Sequence, residues 1–168
     1  MSGVDIAALL LRLIVGVTML AHGWNHAFGG GRLAGTARWF GSIGMRPAKL
    51  HAFLATATEL GAGILLVLGL LTPLAAAGVV GSMLVALIAN HVRNGFFIFR
   101  PGEGYEYVLM IIVVAIAIGA AGGGVASLDQ VFGLRLAGWV GLAIAGGLGL
   151  LSGGAALAVG WRRPVAHD

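Results

Sequence analysis

The chain has 168 residues, of which 59% are apolar and only 10% are charged, and its mean hydropathy is +1.00. Soluble domains carry about a quarter charged residues, so this composition excludes a soluble globular protein. It also excludes a disordered chain, which needs low hydrophobicity and high charge. An integral membrane protein is the class that remains. The chain has no cysteine, which excludes disulfides, thiolate metal sites and thiol nucleophiles.

Five apolar runs follow one another along the chain, at 6–28, 51–71, 73–91, 105–121 and 136–161. About 20 apolar residues are needed to cross ~30 Å of hydrocarbon as a helix. Helices are the natural solution at these lengths because they satisfy their own backbone hydrogen bonds. We therefore predict an all-α transmembrane helical bundle. The tight Thr72-Pro73 connection makes the second and third runs an antiparallel pair.

The Lys and Arg residues between the runs predict the orientation. With five spans, one side of the membrane receives loops 29–50 and 92–104 and the C-terminal tail, which together carry eight cations; the other side, counting Arg12 inside its run, has two. Loops rich in Lys and Arg stay in the cytoplasm. The N-terminus is therefore predicted outside and the C-terminus inside a bacterial inner membrane. Lipid headgroups explain the net charge of +4 better than nucleic acid does.

The loop after the first run contains apolar residues near helical spacing, namely Leu33, Ala37, Phe40 and Ile43. This pattern predicts an amphipathic or partly re-entrant interfacial helix at about 33–45. A solvated basic loop with two incidental aromatic residues is the alternative.

Polar residues in and beside the apolar runs gather at one end of the predicted bundle. His22 and His26 are four residues apart, so they share a helix face. Counting alternately up and down the runs places six residues at one cytoplasmic depth: His22, His26, His91, Asn94, Tyr105 and Glu106. Glu59 lies one layer deeper, about 12 Å beyond the start of its run. We predict a polar pocket at the cytoplasmic end of the first four helices.

Glu59 needs a physical explanation, because a lone charged carboxylate in hydrocarbon costs at least about 2.5 kcal/mol. The carboxyl group must be protonated, paired or bound to a metal. One interpretation is a buried pair with Arg12 that only holds helices together. The other is proton handling or ligand binding by Glu59.

The histidines allow three interpretations. His22, His26 and His91 are candidate metal ligands, since imidazoles with a carboxylate suit Zn, Fe or Mn. No HExxH signature supports that interpretation. Hydrogen bonds to loop backbone and binding of a headgroup or a quinone carbonyl are the other two.

Several stretches occur together in order: LLLRLIVGVTMLAHGWNHAFGG at 9–30, GTARWFGSIGM at 35–45, TELGAGILLVLGLLTPLAA at 58–76, HVRNGFF at 91–97, GYEYVLM at 104–110 and SLD at 127–129. With them the chain resembles the DoxX family of small bacterial integral membrane proteins over roughly residues 5–130. The resemblance implies a four-helix membrane domain at 1–130. The fifth run and the basic tail, at 131–168, depart from the family pattern.

The resemblance also implies a link to membrane redox processes, either sulfur-compound oxidation coupled to quinone or oxidative-stress complexes. The family's recurring polar positions correspond here to Arg12, His22, Gly23, Glu59, Asn94, Gly95, Tyr105, Glu106 and Tyr107.

The leading hypothesis is a membrane-embedded redox component, an oxidoreductase subunit rather than a stand-alone enzyme. Glu59, His22 and Glu106 are the predicted catalytic residues. The predicted cofactor-binding residues are Arg12, His26, His91, Asn94, Tyr105 and Tyr107. The expected cofactor is a quinone, with a metal less favoured, and the expected partners are the bilayer, a redox protein and a second copy of the chain. The alternative is a transporter or binding protein for small molecules or lipids that uses the same pocket. A third hypothesis is a purely structural subunit.

Overall fold

The computed structural model describes residues 1–164. It contains seven helical elements within that range. They are α1 (Gly3–Phe28), α2 (Arg32–Ser42), α3 (Ala48–Leu68), α4 (Thr72–Asn94), α5 (Glu106–Ala121), α6 (Leu128–Val131) and α7 (Gly138–Gly160). Helix α4 contains a π-helical turn at Leu87–His91, and α7 contains a π-helical segment at Ala143–Leu148.

Helices α1, α3, α4 and α7 are long and apolar enough to cross a membrane. The all-α transmembrane bundle predicted from the sequence is thereby confirmed. Helix α5 coincides with the fourth predicted run, but its 16 residues extend over only about 24 Å. Helix α5 is therefore shorter than the other four long helices. The loop 95–105 connects it to α4.

Close helix contacts depend on glycines that face each other. A Cβ on Gly16 of α1 would lie 3.0 Å from the carbonyl oxygen of Gly63 on α3, and a Cβ on Gly153 of α7 would lie 2.7 Å from that of Gly81 on α4. Small residues allow such backbone approach in membranes, where hydrophobic association is weak. The core between α1, α3, α4, α5 and α7 includes Met19, Leu66, Val79, Val80, Ala115, Ile118 and Ala145, all 0% exposed.

The loops meet in two groups at opposite ends of the bundle. We call these the N-terminal end, where α1 begins, and the C-terminal end, where α7 ends. At the N-terminal end, the Val125 N–H donates to Asp5 Oδ1 (3.2 Å), and the Leu71 N–H donates to Asp129 Oδ1 (2.6 Å). At the C-terminal end, the Arg46 N–H donates to the carbonyl of Gly160 (2.8 Å). The chain therefore threads up and down as the sequence predicts, with the eight loop cations at the C-terminal end.

Helix α2 begins one residue before the segment 33–45, for which the sequence predicts an interfacial helix, and ends three residues before the end of that segment. It packs over the ends of α1 and α3 and buries Ala37 and Phe40. Its location at the inner membrane surface, and the division of the chain at residue 130, stay predictions.

Candidate functional site

A cavity of about 550 Å³ lies toward the C-terminal end of the bundle. Its walls come from α1, α2, α3, α4, α7 and the start of α5. Its volume is in the range of small-molecule sites, roughly 300–1,000 Å³. Most of the lining is apolar, and the residues with ionisable or amide side chains are His22, His26, His51, Glu59, Asn90, His91, Glu103 and Tyr107.

A largely buried polar pair lies in the cavity between α1 and α3. Nδ1 of His26 lies 2.9 Å from Oε2 of Glu59, and the two side chains are 17% and 6% exposed. The contact is at ion-pair distance, and neither atom has a hydrogen-bond partner within residues 1–164. Glu59 is eleven residues into α3, about 16 Å from its start. At that depth a carboxylate requires a partner, and this histidine supplies one.

Helix α2 covers the pair with aromatic rings. The ring of Phe40 meets the imidazole of His26 edge-on at 6.2 Å between centroids, and Trp39 lies 6.3 Å from it. The hydroxyl of Thr36 donates to the carbonyl of His26 at 2.9 Å, which fixes α2 to the end of α1. The pair is therefore shielded by apolar rings on this side.

His22 and Tyr107 line the cavity from α1 and α5. Their rings are stacked with centroids 6.4 Å apart. Both side chains are exposed, Tyr107 by 42%. These two residues therefore lie at the edge of the cavity, whereas His26 and Glu59 lie inside it.

The π-helical turn of α4 directs Asn90 and His91 into the cavity wall. Nδ1 of His91 lies 2.9 Å from the carbonyl oxygen of Glu103, so this nitrogen must carry a proton. Its Nε2 lies 3.2 Å from Nδ2 of Asn90 and accepts from that amide. Both ring nitrogens of His91 are therefore engaged. Single π turns often occur at functional sites, because they change which side chains share a face.

Three predicted site residues lie outside the cavity lining, because they hold the loop 95–105 together. Asn94 Nδ2 donates to the carbonyls of Gly102 (2.5 Å) and Glu103 (3.1 Å). Glu106 Oε2 accepts from the N–H of Ile98 at 3.3 Å. Tyr105 packs edge-on against a ring of the same loop. Counting by depth placed these residues at the right level, but it did not include the direction in which the loop turns them.

Arg12 lies at the opposite end of the bundle. It is 0% exposed and donates from Nη1 to the carbonyl of Leu66 (3.0 Å) and from Nη2 to that of Ala126 (2.7 Å). No ion pair between Arg12 and Glu59 is found in the described residues, and Arg12 does not line the cavity. The carbonyls at the end of α3 and in the loop 122–127 take up its donors instead.

The three histidines named as candidate metal ligands do not converge. Within residues 1–164, no group of three His, Asp or Glu side chains is arranged to hold a metal ion. His26 faces Glu59, His91 faces a carbonyl, and His22 lies at the exposed edge.

Several lining residues were not among the predicted site residues. His51 occurs eight residues before Glu59, about two helical turns away, so both residues share a face of α3. Glu103 carries the same signal as Glu106, an ionisable residue beside the fourth apolar run, whereas the α7 residues Ser152, Gly153 and Ala156 gave no signal in the sequence. They join the cavity only through a loop turn and a long-range helix packing.

A comparison with protein-family models shows which family the chain belongs to. The DoxX model matches residues 7–92, which is more than half of the chain. The chain belongs to the DoxX family. No curated protein and no solved structure matches it at a significant level.

The DoxX match covers α1, α2, α3 and most of α4, and therefore includes His22, His26, Glu59 and His91. Helices α5 and α7 lie beyond it. DoxX membership and the four apolar helices together make this a multi-pass membrane protein in a lipid bilayer.

Proposed function

We propose that the protein is a membrane-embedded redox component that binds a quinone in the cavity between α1, α2, α3, α4 and α7. The observation that carries the proposal is the buried His26–Glu59 pair inside a mostly apolar cavity of suitable volume. Redox or oxidative-stress links are frequent in the DoxX family. Flat apolar rings are accommodated by Trp39 and Phe40, and the carbonyl oxygens of a quinone need donors such as those of His26, His22 and Tyr107.

The chemistry explains why an ionisable pair belongs in this cavity. Reduction of a quinone to a quinol adds two electrons and two protons. In this proposal, a partner redox protein with its own carrier supplies the electrons. A His–carboxylate pair holds an exchangeable proton beside the ring, which is the requirement for general acid catalysis. The proposal pairs Glu59 with His26 for proton exchange, whereas the sequence alone indicated His22.

The first experiment measures quinone binding directly. Trp39 lines the cavity, so a bound quinone should quench its fluorescence. We expect saturable quenching by decylubiquinone when the purified protein is held in lipid nanodiscs. Glu59→Gln should weaken binding about tenfold, because it removes the carboxyl group that contacts Nδ1 of His26.

Glu106→Gln is the matched control, because it makes the same change in a carboxylate that lies outside the cavity. It should leave the quinone affinity within about twofold. Equal losses in both variants, or quenching that does not saturate, would contradict the proposal.

Binding or transport of a lipid is the second candidate, because the lining includes exposed residues on membrane helices, such as Leu54. Mass spectrometry of small molecules that co-purify with the wild-type protein separates the two. A quinone retained by the wild type and lost from Glu59→Gln favours the redox role. A phospholipid retained in its place favours lipid handling.

A further inference from the structure

The cavity has a second part whose chemistry differs from the polar end. Its lining continues from Glu59 to a region of small and apolar residues on three helices: Leu54 on α3, Gly78 and Gly81 on α4, and Ser152, Gly153 and Ala156 on α7. Helix α7 thus supplies one wall of the cavity, although it lies outside the segment that the DoxX model matches.

On α4, this second part of the cavity is bordered by two glycines that pack closely against side chains of the neighbouring helices. A Cβ on Gly81 would lie 2.7 Å from Oγ of Ser152, and a Cβ on Gly78 would lie 3.2 Å from Cγ2 of Thr58. Because α4 packs against α3 on one side and against α7 on the other, the cavity extends along α4 between these two helices.

This part of the cavity also reaches the outside of the bundle at membrane depth. Leu54 lines the cavity and is 47% exposed, and Ser152 lines it and is exposed. Leu54 is six residues into α3, about 9 Å, and Ser152 is eight residues before the end of α7, about 12 Å. Both residues therefore lie within the part of the bundle that acyl chains surround.

From this arrangement we infer that the ligand is amphiphilic. Its polar ring lies at the His26–Glu59 pair, and its apolar tail leaves the protein between α3 and α7. The inference rests on the proposed function and adds the ligand class, a ring with a long hydrocarbon chain. Moving a tail from lipid into this groove contributes little hydrophobic free energy, because both surroundings are apolar. The groove instead lets the ring enter a buried site while its tail stays connected to the bilayer.

Ala156→Leu tests the inference, because it places a larger side chain in the groove. Ala155→Leu is the matched control, since Ala155 is exposed and does not line the cavity. We expect Ala156→Leu to weaken decylubiquinone binding about tenfold, as overpacking does, and to leave the tail-free ubiquinone-0 within about twofold. Ala155→Leu should change neither. Equal effects of Ala156→Leu on both quinones, or no effect on either, would overturn the inference.

A second measurement does not depend on quinone binding. A photoreactive twelve-carbon alkyl probe in the nanodisc lipid should label peptides 54–58 and 152–156 more strongly than the exposed face of α1. Ala156→Leu should reduce that labelling and Ala155→Leu should not. Uniform labelling of all lipid-facing helices would reject the tail groove. Failure of quinone binding with selective labelling intact would reject only the proposed quinone and leave an apolar-tailed ligand.

Discussion

His22 and His26 lie one helical turn apart on α1 but have different surroundings. His26 is 2.9 Å from a buried carboxylate, and His22 stacks on Tyr107 at the exposed edge of the cavity. Spacing of four residues predicts a shared face, but it does not predict which histidine meets α3. Under the proposed function, His26 exchanges protons with Glu59, and His22 contacts a ligand that enters the cavity.

Arg12 provides a prediction at the same scale, because its surroundings indicate a structural role. Its two hydrogen bonds join the end of α3 to the loop before α6. Nη1 also lies so close to Gly69 that a Cβ at that residue would overlap with it. Arg12→Met should leave two carbonyls without their donor and lower the free energy of unfolding by about 2 kcal/mol. Thermal unfolding in nanodiscs measures this change.

The companion measurement for Arg12→Met is the quinone affinity of the folded variant. Since Arg12 is at the far end from the cavity, we expect the affinity to stay within about twofold of wild type. A loss of quinone affinity without a loss of stability would contradict this expectation and show that Arg12 contributes to ligand binding.

Individual residues could be singled out from the sequence where burial in the membrane has a large energetic cost. A carboxylate deep in α3 requires a partner, so Glu59 could be singled out from the apolar run alone. The identity of that partner depends on which helix faces touch, and depth counting offered Arg12 as a partner where the structure has His26. Asn94, Tyr105 and Glu106 were placed at the right level, but the loop 95–105 turns them away from the cavity.

At the scale of elements, α7 is connected to the segment between α2 and α3. Nε1 of Trp161 donates to the carbonyl of Ile43 at 3.0 Å, and the Arg162 N–H donates to the carbonyl of Gly44 at 2.8 Å. These bonds hold the end of α2, and α2 carries the aromatic rings above His26. The last helix therefore fixes the cover of the cavity as well as one of its walls.

Trp161→Phe removes the indole donor and keeps an aromatic ring. We expect faster hydrogen exchange in residues 32–45 and a loss of about 1 kcal/mol in stability, the typical contribution of one such bond. Trp139→Phe is the control, because Trp139 lies at the other end of α7 and is 85% exposed. Unchanged exchange in α2, or the same acceleration in both variants, would show that Trp161 does not hold α2.

Run length and hydropathy predicted the helices well, because each run must satisfy its backbone within the membrane. The predicted runs coincide with α1, α3, α4, α5 and α7 to within a few residues at most ends. The contribution of α7 to the cavity was not predictable, since it depends on a glycine contact between α4 and α7 that no local pattern specifies.

At the scale of the whole molecule, the distribution of Lys and Arg predicts which end of the bundle faces the cytoplasm. The structure collects eight Lys and Arg residues at the C-terminal end, where the cavity also lies, and the two remaining cations, Arg12 and Arg135, lie toward the N-terminal end. Loops rich in Lys and Arg are retained in the cytoplasm. We therefore expect the cavity to open near the inner leaflet, where the reaction of the proposed function would take its protons and electrons from the cytoplasmic side.

The absence of native cysteine makes this orientation directly measurable, because each introduced thiol is unique. Gln130→Cys and Gly30→Cys lie at opposite ends of the bundle, are exposed, and leave the number of Lys and Arg unchanged. A membrane-impermeant maleimide should label Gln130→Cys on intact cells and Gly30→Cys only after the membrane is permeabilised. The reverse pattern would place the cavity at the outer leaflet, where a proton-consuming reaction would draw on the opposite side of the membrane and a cytoplasmic electron donor would have no access to it.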